Sequence, residues 1–365
     1  MTATSGISRI VTPAGDPAWH VTKFSLVKSL LMDARLGKTH PKPSMAPWYS
    51  RSGLAGGPHA GHDSEYEDHA RRRGAMNRAF SRAHQMALSP WIEQTATELA
   101  RDLAARTPPV DTGVFYFAPL TKAVVSRLLG VPMEVLDDFY AQSAKDSVSE
   151  MARRANFVRS MVSQADVHTM APVSRLLPTS GRFEKTDAAW VTRLVSGMIV
   201  FGSETPATAL DWTLHVLLSR PSDCQRIRLD KSLLPTAVEE ALRLFHPPAA
   251  TDDGLLRYAH HDLVVADQIV AAGEMVLLDV VAANRDPEVF ERPYEFDLNR
   301  EAVGHLSFGH GFYRCNFAQL ARVEIEIGVR CLLTQIPRIR LGQLDGGGPV
   351  PSPDGRPASP PTVCW

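Results

Sequence analysis

Cysteine is scarce in this 365-residue chain. Four occur, Cys224, Cys315, Cys331 and Cys364, far apart and with no C-x-x-C pair. That scatter argues against a zinc site and against a disulfide framework. A surplus of either charge is missing too. With 39 basic and 40 acidic side chains the formal net charge is −1, so nothing global draws the chain to nucleic acid or an anionic membrane. Runs of about 18 apolar residues, the length of a spanning helix, do not occur. Met1 to Val11 is polar and lacks the apolar core of a signal peptide. No internal repeat is apparent. These absences point to a soluble protein of the reducing cytoplasm, with no nucleic acid and no membrane as partner. What is present, 44% apolar and 22% charged residues, is the composition of an ordinary globular protein with a deep core.

Helical periodicity dominates the chain. A strand is expected over 18–24 and a helix from Leu26 to Leu31. Residues 37–67, rich in Gly, Pro, Ser and His, read as a long loop of the kind that forms binding lids. A basic helix follows from Glu67 to Leu88, then helices over 91–106 and 117–129, the latter closed by Gly130-Val131-Pro132. The pattern over 134–175 is helical but polar. The longest helix is expected over 187–218, and another over 232–245 stops at His246-Pro247-Pro248. Between 255 and 282, short Val/Ile/Leu runs alternate with the turns Ala266-Asp267 and Ala272-Gly273, which predicts hairpins. A final helix runs to about 335, before a tail rich in Pro and Gly.

One stretch carries the most chemistry: Phe308-Gly309-His310-Gly311-Phe312-Tyr313-Arg314-Cys315-Asn316-Phe317-Ala318-Gln319-Leu320-Ala321-Arg322. Two glycines in three residues allow a tight turn or a close approach to something flat. Arg314 favours the thiolate of Cys315, and Phe317, Leu320 and Ala321 then fall on one helical face. A lone cysteine is ordinarily a small buried apolar residue, and that reading stands for Cys224, Cys331 and Cys364. A thiolate at the mouth of a helix suits an axial ligand of haem iron. The segment resembles the haem-binding loop of the cytochrome P-450 family, Phe-Gly-x-Gly-x-His-x-Cys-x-Gly followed by Leu-Ala-Arg. Tyr313 stands where that family usually has a histidine bonded to a haem propionate. Phe317 replaces a small residue that lets the helix lie near the porphyrin.

The resemblance extends along nearly the whole chain. Glu240 and Arg243, three apart on one helical face, are in isolation a surface pair. They resemble the family's Glu-x-x-Arg, which locks to a downstream segment approached through Ala283-Asn284-Arg285-Asp286-Pro287. Gly202-Ser203-Glu204-Thr205-Pro206 interrupts the longest helix, because Pro206 has no N–H for the carbonyl of Gly202. It resembles the family's acid–alcohol pair, which implies Glu204 and Thr205 as the proton-delivering catalytic residues. His69 and Arg73 match the spacing of a propionate-holding pair, and Arg257 resembles a third such contact. Arg71, Arg72, Arg314 and Arg322 form a candidate basic patch for an acidic ferredoxin.

The resemblance implies a mainly α fold with a small β-rich region, a helical prism around a buried haem, in a single domain over 1–365. The first helix is trimmed and the roof over 133–186 compact. It also implies haem b bound through Phe308, Gly309, Tyr313 and Cys315, with Cys315 on the iron. Electrons come from NAD(P)H through a reductase and ferredoxin, for hydroxylation or oxidative coupling of a bacterial secondary metabolite. The open roof adds aromatic cross-linking within a short peptide as a variant. The alternative is a catalytically silent haem-binding or sensor protein on the same fold, suggested by Tyr313 and Phe317. A nucleic-acid binder using residues 69–82 is disfavoured by the near-neutral charge.

Overall fold

The polar opening of the chain forms an edge strand that hydropathy patterning does not announce. In the computed structural model, Ile7–Val11 (β1) pairs antiparallel with Pro17–Val21 (β2), Ile7 opposite Val21. Ser8, Arg9 and Val11 are exposed, as an edge position tolerates. The structure describes residues 6–51, 56–59, 61–141, 185–246, 254–300, 304–342 and 362–365. They fall into two compact units. One is drawn from Met1–Arg73, Pro248–Glu295 and Gly304–Cys315; the other from Gly74–Pro247, Phe296–Val303 and Asn316–Trp365.

The first unit is built on a five-stranded sheet ordered β1-β2-β8-β5-β3, with Leu36–Gly37 as β3, Leu255–Ala259 as β5 and Met275–Leu278 as β8. β8 runs parallel to β2 and antiparallel to β5. All four β8 residues are buried, because both faces of the sheet are covered. Val276 and Leu278 join Trp19, Val21, Val27 and Leu306 on one side; Met275 and Leu277 join Ala18, Tyr49 and Tyr258 in a second cluster. Helix α1, Phe24–Leu30, is fixed by the Phe24 N–H donating to Asp286 at 2.8 Å and by Phe24 meeting Phe290 edge-on at 5.6 Å. It packs against the short helix Val280–Ala283 (α10), which Asp279 caps by accepting from the Ala282 N–H at 2.8 Å.

Leu263–Val265 (β6) and Gln268–Val270 (β7) make the hairpin expected at Ala266-Asp267. The turn at Ala272-Gly273 does not make a second one. After it the chain enters β8, whose partners are β5 and β2, since a strand buried on both faces belongs inside the sheet.

The second unit is helical. Ser89–Ala104 (α4) places Ile92, Ala96, Ala100 and Leu103 on one buried stripe and packs against Ala318–Gln335 (α11). A π-helical turn at Gly113–Phe117 leads into Ala118–Leu129 (α5), which ends at Gly130 in the left-handed region. Lys185–Leu218 (α7) packs against α5 and α11. Pro221–Leu229 (α8) and Leu234–Leu244 (α9) follow. A small sheet closes the unit, with Thr362–Cys364 (β10) between Val110–Asp111 (β4) and Arg340–Leu341 (β9).

The helix expected from Glu67 to Leu88 is two: Glu65–Ala79 (α2) and Arg82–Ala87 (α3). Ser81 has extended geometry and its hydroxyl accepts from the His84 N–H at 3.2 Å, an N-cap that restarts the helix. Met133–Ala141 (α6) begins the polar region, but residues 142–184, most of the expected roof, lie outside the described residues. So do Pro247, Pro248 and most of the tail. Among the described residues no single helix is long and apolar enough to cross a membrane.

Candidate active site

The cysteine loop is closed on itself by main-chain bonds. Gly309 N–H donates to Leu306 O at 2.8 Å, Arg314 N–H to Gly311 O at 3.2 Å, and Cys315 N–H to Phe308 O at 2.9 Å. Both glycines are used as expected: φ is +69° at Gly309 and +65° at Gly311, and a Cβ on Gly311 would sit 2.7 Å from Leu31 O. The loop is tied from behind by Asn284, whose carbonyl accepts from Leu306 N–H at 2.7 Å and whose amide donates to Ser307 at 2.9 Å. Cys315 is exposed and lies three residues ahead of α11; Cys224 and Cys331 are buried, and Cys364 partly so. Phe317 turns sideways and meets Phe80 at 5.7 Å.

The anion-binding candidates gather in the same unit as the loop, in an arrangement the residue types do not announce. His69 Nε2 lies 3.1 Å from Phe312 O, and Arg73 Nη1 donates to Phe312 O at 3.2 Å and to Arg314 O at 2.8 Å. Both brace the loop's main chain. Burial lowers the pKa of His69, outweighing its Phe312 bond, so it is neutral at pH 7. Arg257 is 5% exposed and donates to Leu256 O. Its guanidinium lies 4.8 Å from the centre of the Tyr313 ring, and Lys38 Nζ lies 4.9 Å from it. Burial first, then the Arg257 charge, lower the pKa of Lys38 to about 8, against the pull of Glu65. Among the described residues neither cation has an ion-pair partner.

Glu65, Lys38 and Thr39 do not stand out in the sequence. Glu65 is buried and accepts from the Lys38 N–H at 2.7 Å, the Thr39 N–H at 2.9 Å, the Thr39 hydroxyl and the Tyr313 hydroxyl. Burial alone would raise its pKa, but these bonds prevail and hold it below the ordinary carboxylate value. A usable signal existed: Glu65 stands four residues before His69 and eight before Arg73, on one face of α2.

The remaining candidates lie in the second unit. Helix α7 runs unbroken through Pro206, a correction to the expected interruption. One proline removes a single main-chain bond, and the turns on either side keep theirs. Glu204 is exposed, Gly202 and Thr205 partly so, and Phe201, one turn before Thr205, is 60% exposed. Among the described residues the Thr205 hydroxyl has no hydrogen-bond partner, whereas that of Thr208 donates to Glu204 O at 2.9 Å.

Glu240 and Arg243 are 4% and 2% exposed, far from surface decoration. Arg243 donates to both Glu240 oxygens at 2.8 Å. Glu240 Oε1 also accepts from Arg300 Nε at 2.9 Å and from the Asp297 N–H at 3.1 Å. The locked segment is therefore 297–300, not the expected 283–287, whose Asn284 serves the cysteine loop instead. Of the basic residues, Arg71 and Arg72 pair with Asp68 at 2.8 and 3.7 Å and Arg322 with Glu239 at 2.6 Å, while Arg314 is exposed. A cavity of about 250 Å³ walled by Ile227, Arg228 and Leu333 contains none of the candidate residues.

A mainly helical chain carrying a cysteine loop ahead of a long helix defines a class, the haem-thiolate proteins. Comparison with known proteins agrees. The family model described as Cytochrome P450 matches residues 178–335. Mycinamicin IV hydroxylase/epoxidase of Micromonospora griseorubida is 30% identical over 355 residues, covering 93% of this chain and 87% of that protein. Pentalenolactone synthase of Streptomyces exfoliatus is 30% identical over 342 residues, covering 91% and 86%. The solved structure of substrate-free cytochrome P450 PimD, a polyene macrolide antibiotic pimaricin epoxidase, superposes with a TM-score of 0.83 at 29% identity, over 99% of this chain and 93% of that one. The chain belongs to the cytochrome P450 family and is a P450 monooxygenase, whose family implies a haem-thiolate iron.

Proposed function

We propose that this monooxygenase binds haem b with the Cys315 thiolate on the iron, takes electrons from NAD(P)H through a ferredoxin and its reductase, and oxidises a secondary metabolite. The observation that carries the cofactor assignment is the charge imbalance beside the cysteine loop. Arg257 and Lys38 stand there without an ion-pair partner among the described residues. The donor set fits haem: an accessible thiol for iron, and unneutralised cations for the porphyrin's carboxylates. His69 and Arg73 contribute by bracing the loop, Phe308 and Gly309 by shaping it.

When bound, thiolate-ligated haem supplies the activation of dioxygen. The chain's own part is to position substrate and move protons. Glu204 and Thr205 are assigned as the acid and the alcohol that deliver them; the uncommitted Thr205 hydroxyl supports that role. Gly202 and Pro206 leave a carbonyl on α7 free to hold water. Phe201, exposed one turn away, faces substrate. The macrolide-directed names of the relatives support a secondary metabolite as substrate. Hydroxylation and oxidative coupling within a short aromatic peptide are the two outcomes to separate. Exposed Arg71 and Arg314 suit an acidic ferredoxin, whose reduction rate should then fall with added salt.

The test is the absorption spectrum of the ferrous carbon-monoxide complex. A red-shifted Soret band in the wild type, lost in Cys315→Ala, supports the assignment; an unaltered spectrum in the variant overturns it. Product formation with ferredoxin, reductase and NADPH, assayed on macrolides and short aromatic peptides, then separates an enzyme from a silent haem protein.

A further inference from the structure

A carboxylate has about four acceptor positions, two on each oxygen. Glu65 uses all of them. Oε1 takes the Lys38 N–H and the Tyr313 hydroxyl; Oε2 takes the Thr39 N–H and the Thr39 hydroxyl. His260 approaches Oε2 at 3.5 Å, but burial lowers its pKa and it is neutral at pH 7. Glu65 is thus committed to main chain and hydroxyls, and forms no ion pair with Lys38 or Arg257.

Tyr313 has one proton to donate, and Glu65 receives it. Burial, then this hydrogen bond, push the phenol's pKa well up, so it stays protonated. Towards any other anion the oxygen offers a lone pair, which repels. The ring, by contrast, carries the two cations at 4.9 and 4.8 Å.

We propose that Glu65 is a positioning residue: by capturing the Tyr313 proton it turns that hydroxyl away from the cofactor's carboxylates and fixes the ring as a platform for Lys38 and Arg257, which hold them directly. This rests on the haem assignment above. It differs from the sequence expectation, in which Tyr313 takes over a histidine's bond to a propionate. It also accounts for the anchoring of residues 37–39, since the main chain of Lys38 and Thr39 is tied through Glu65 to the cysteine loop.

The test is a double-mutant cycle on the holoenzyme, read as the rate of haem transfer to an apoglobin acceptor. Glu65→Gln and Tyr313→Phe should each speed haem loss by about tenfold, the scale of one charge-assisted hydrogen bond. If the pair acts as a unit, the double variant loses haem no faster than the worse single one. Multiplying effects overturn the proposal. A second measurement stands even if Glu65→Gln fails to fold. Wild type and Tyr313→Phe are reconstituted with haem and with haem dimethyl ester. Because Tyr313 does not touch the carboxylates, its removal should leave the preference for the free acid unchanged, whereas Arg257→Met should shrink it. Loss of that preference in Tyr313→Phe contradicts the assignment. Failure of the haem reading itself is told apart by a wild type that shows no red-shifted carbon-monoxide band.

Discussion

Two buried charge clusters in this protein follow opposite rules. Around Glu240, a carboxylate meets Arg243 through both oxygens, and Arg300 and a backbone N–H complete its shell. Around Glu65 the carboxylate is equally saturated, but by neutral donors, and the nearby cations Lys38 and Arg257 are left over. A fully bonded ion pair is a structural brace. Buried cations without a counter-ion are unfavourable in isolation and become favourable when an anion arrives, which is how a binding site differs from a brace.

The comparison breaks most visibly if charge is removed from each cluster. Glu240→Ala or Arg243→Ala should destabilise the protein by about 3–5 kcal/mol, because the surviving partner stays buried and uncompensated; denaturant midpoints measure this. Arg257→Met should behave differently. Apoprotein stability should hold or rise, since an unpaired buried cation is gone, while haem loss accelerates about tenfold. A fall in apoprotein stability comparable to that of Arg243→Ala would erase the distinction.

A third buried charge sharpens the rule by pH. Asp211 on α7 is buried near Asp111, with one 3.4 Å bond from Thr112, and burial first raises its pKa to about 7. Its folded value lies above the unfolded one near 3.8, so ionising it costs stability as pH rises between the two. Asp211→Asn should therefore raise the melting temperature most above pH 7 and not at all below about pH 4. The smallest effect is expected at Arg322–Glu239, where both side chains are partly exposed. Arg322→Ala should cost less than about 1 kcal/mol.

Much of this was legible in the chain. The Gly309 and Gly311 turns, the exposed Cys315 and the helix after it follow from local spacing, because backbone φ and helical periodicity are local properties. The long α7 and the buried Glu240–Arg243 pair were also readable, the latter from its apolar helix. What stayed hidden depends on the tertiary fold. Glu65 looks like one more acid at a helix start, and its meaning comes from Tyr313, 248 residues away. Lys38 sits in a loop whose composition says only that it is a loop. Arg300 and the placement of β8 beside β2 are likewise set by long-range pairing. The break at Ser81 is local yet hard to read, since a capping serine inside a basic helical pattern looks like one more polar position.

The central claim, that the leftover cations exist for the carboxylates of a haem whose iron is on Cys315, is tested most directly by comparing how long the wild type retains haem and its dimethyl ester. The account predicts that the diacid is held at least about tenfold longer, with the ferrous carbon-monoxide band red-shifted in both. Equal retention of the two porphyrins would contradict it.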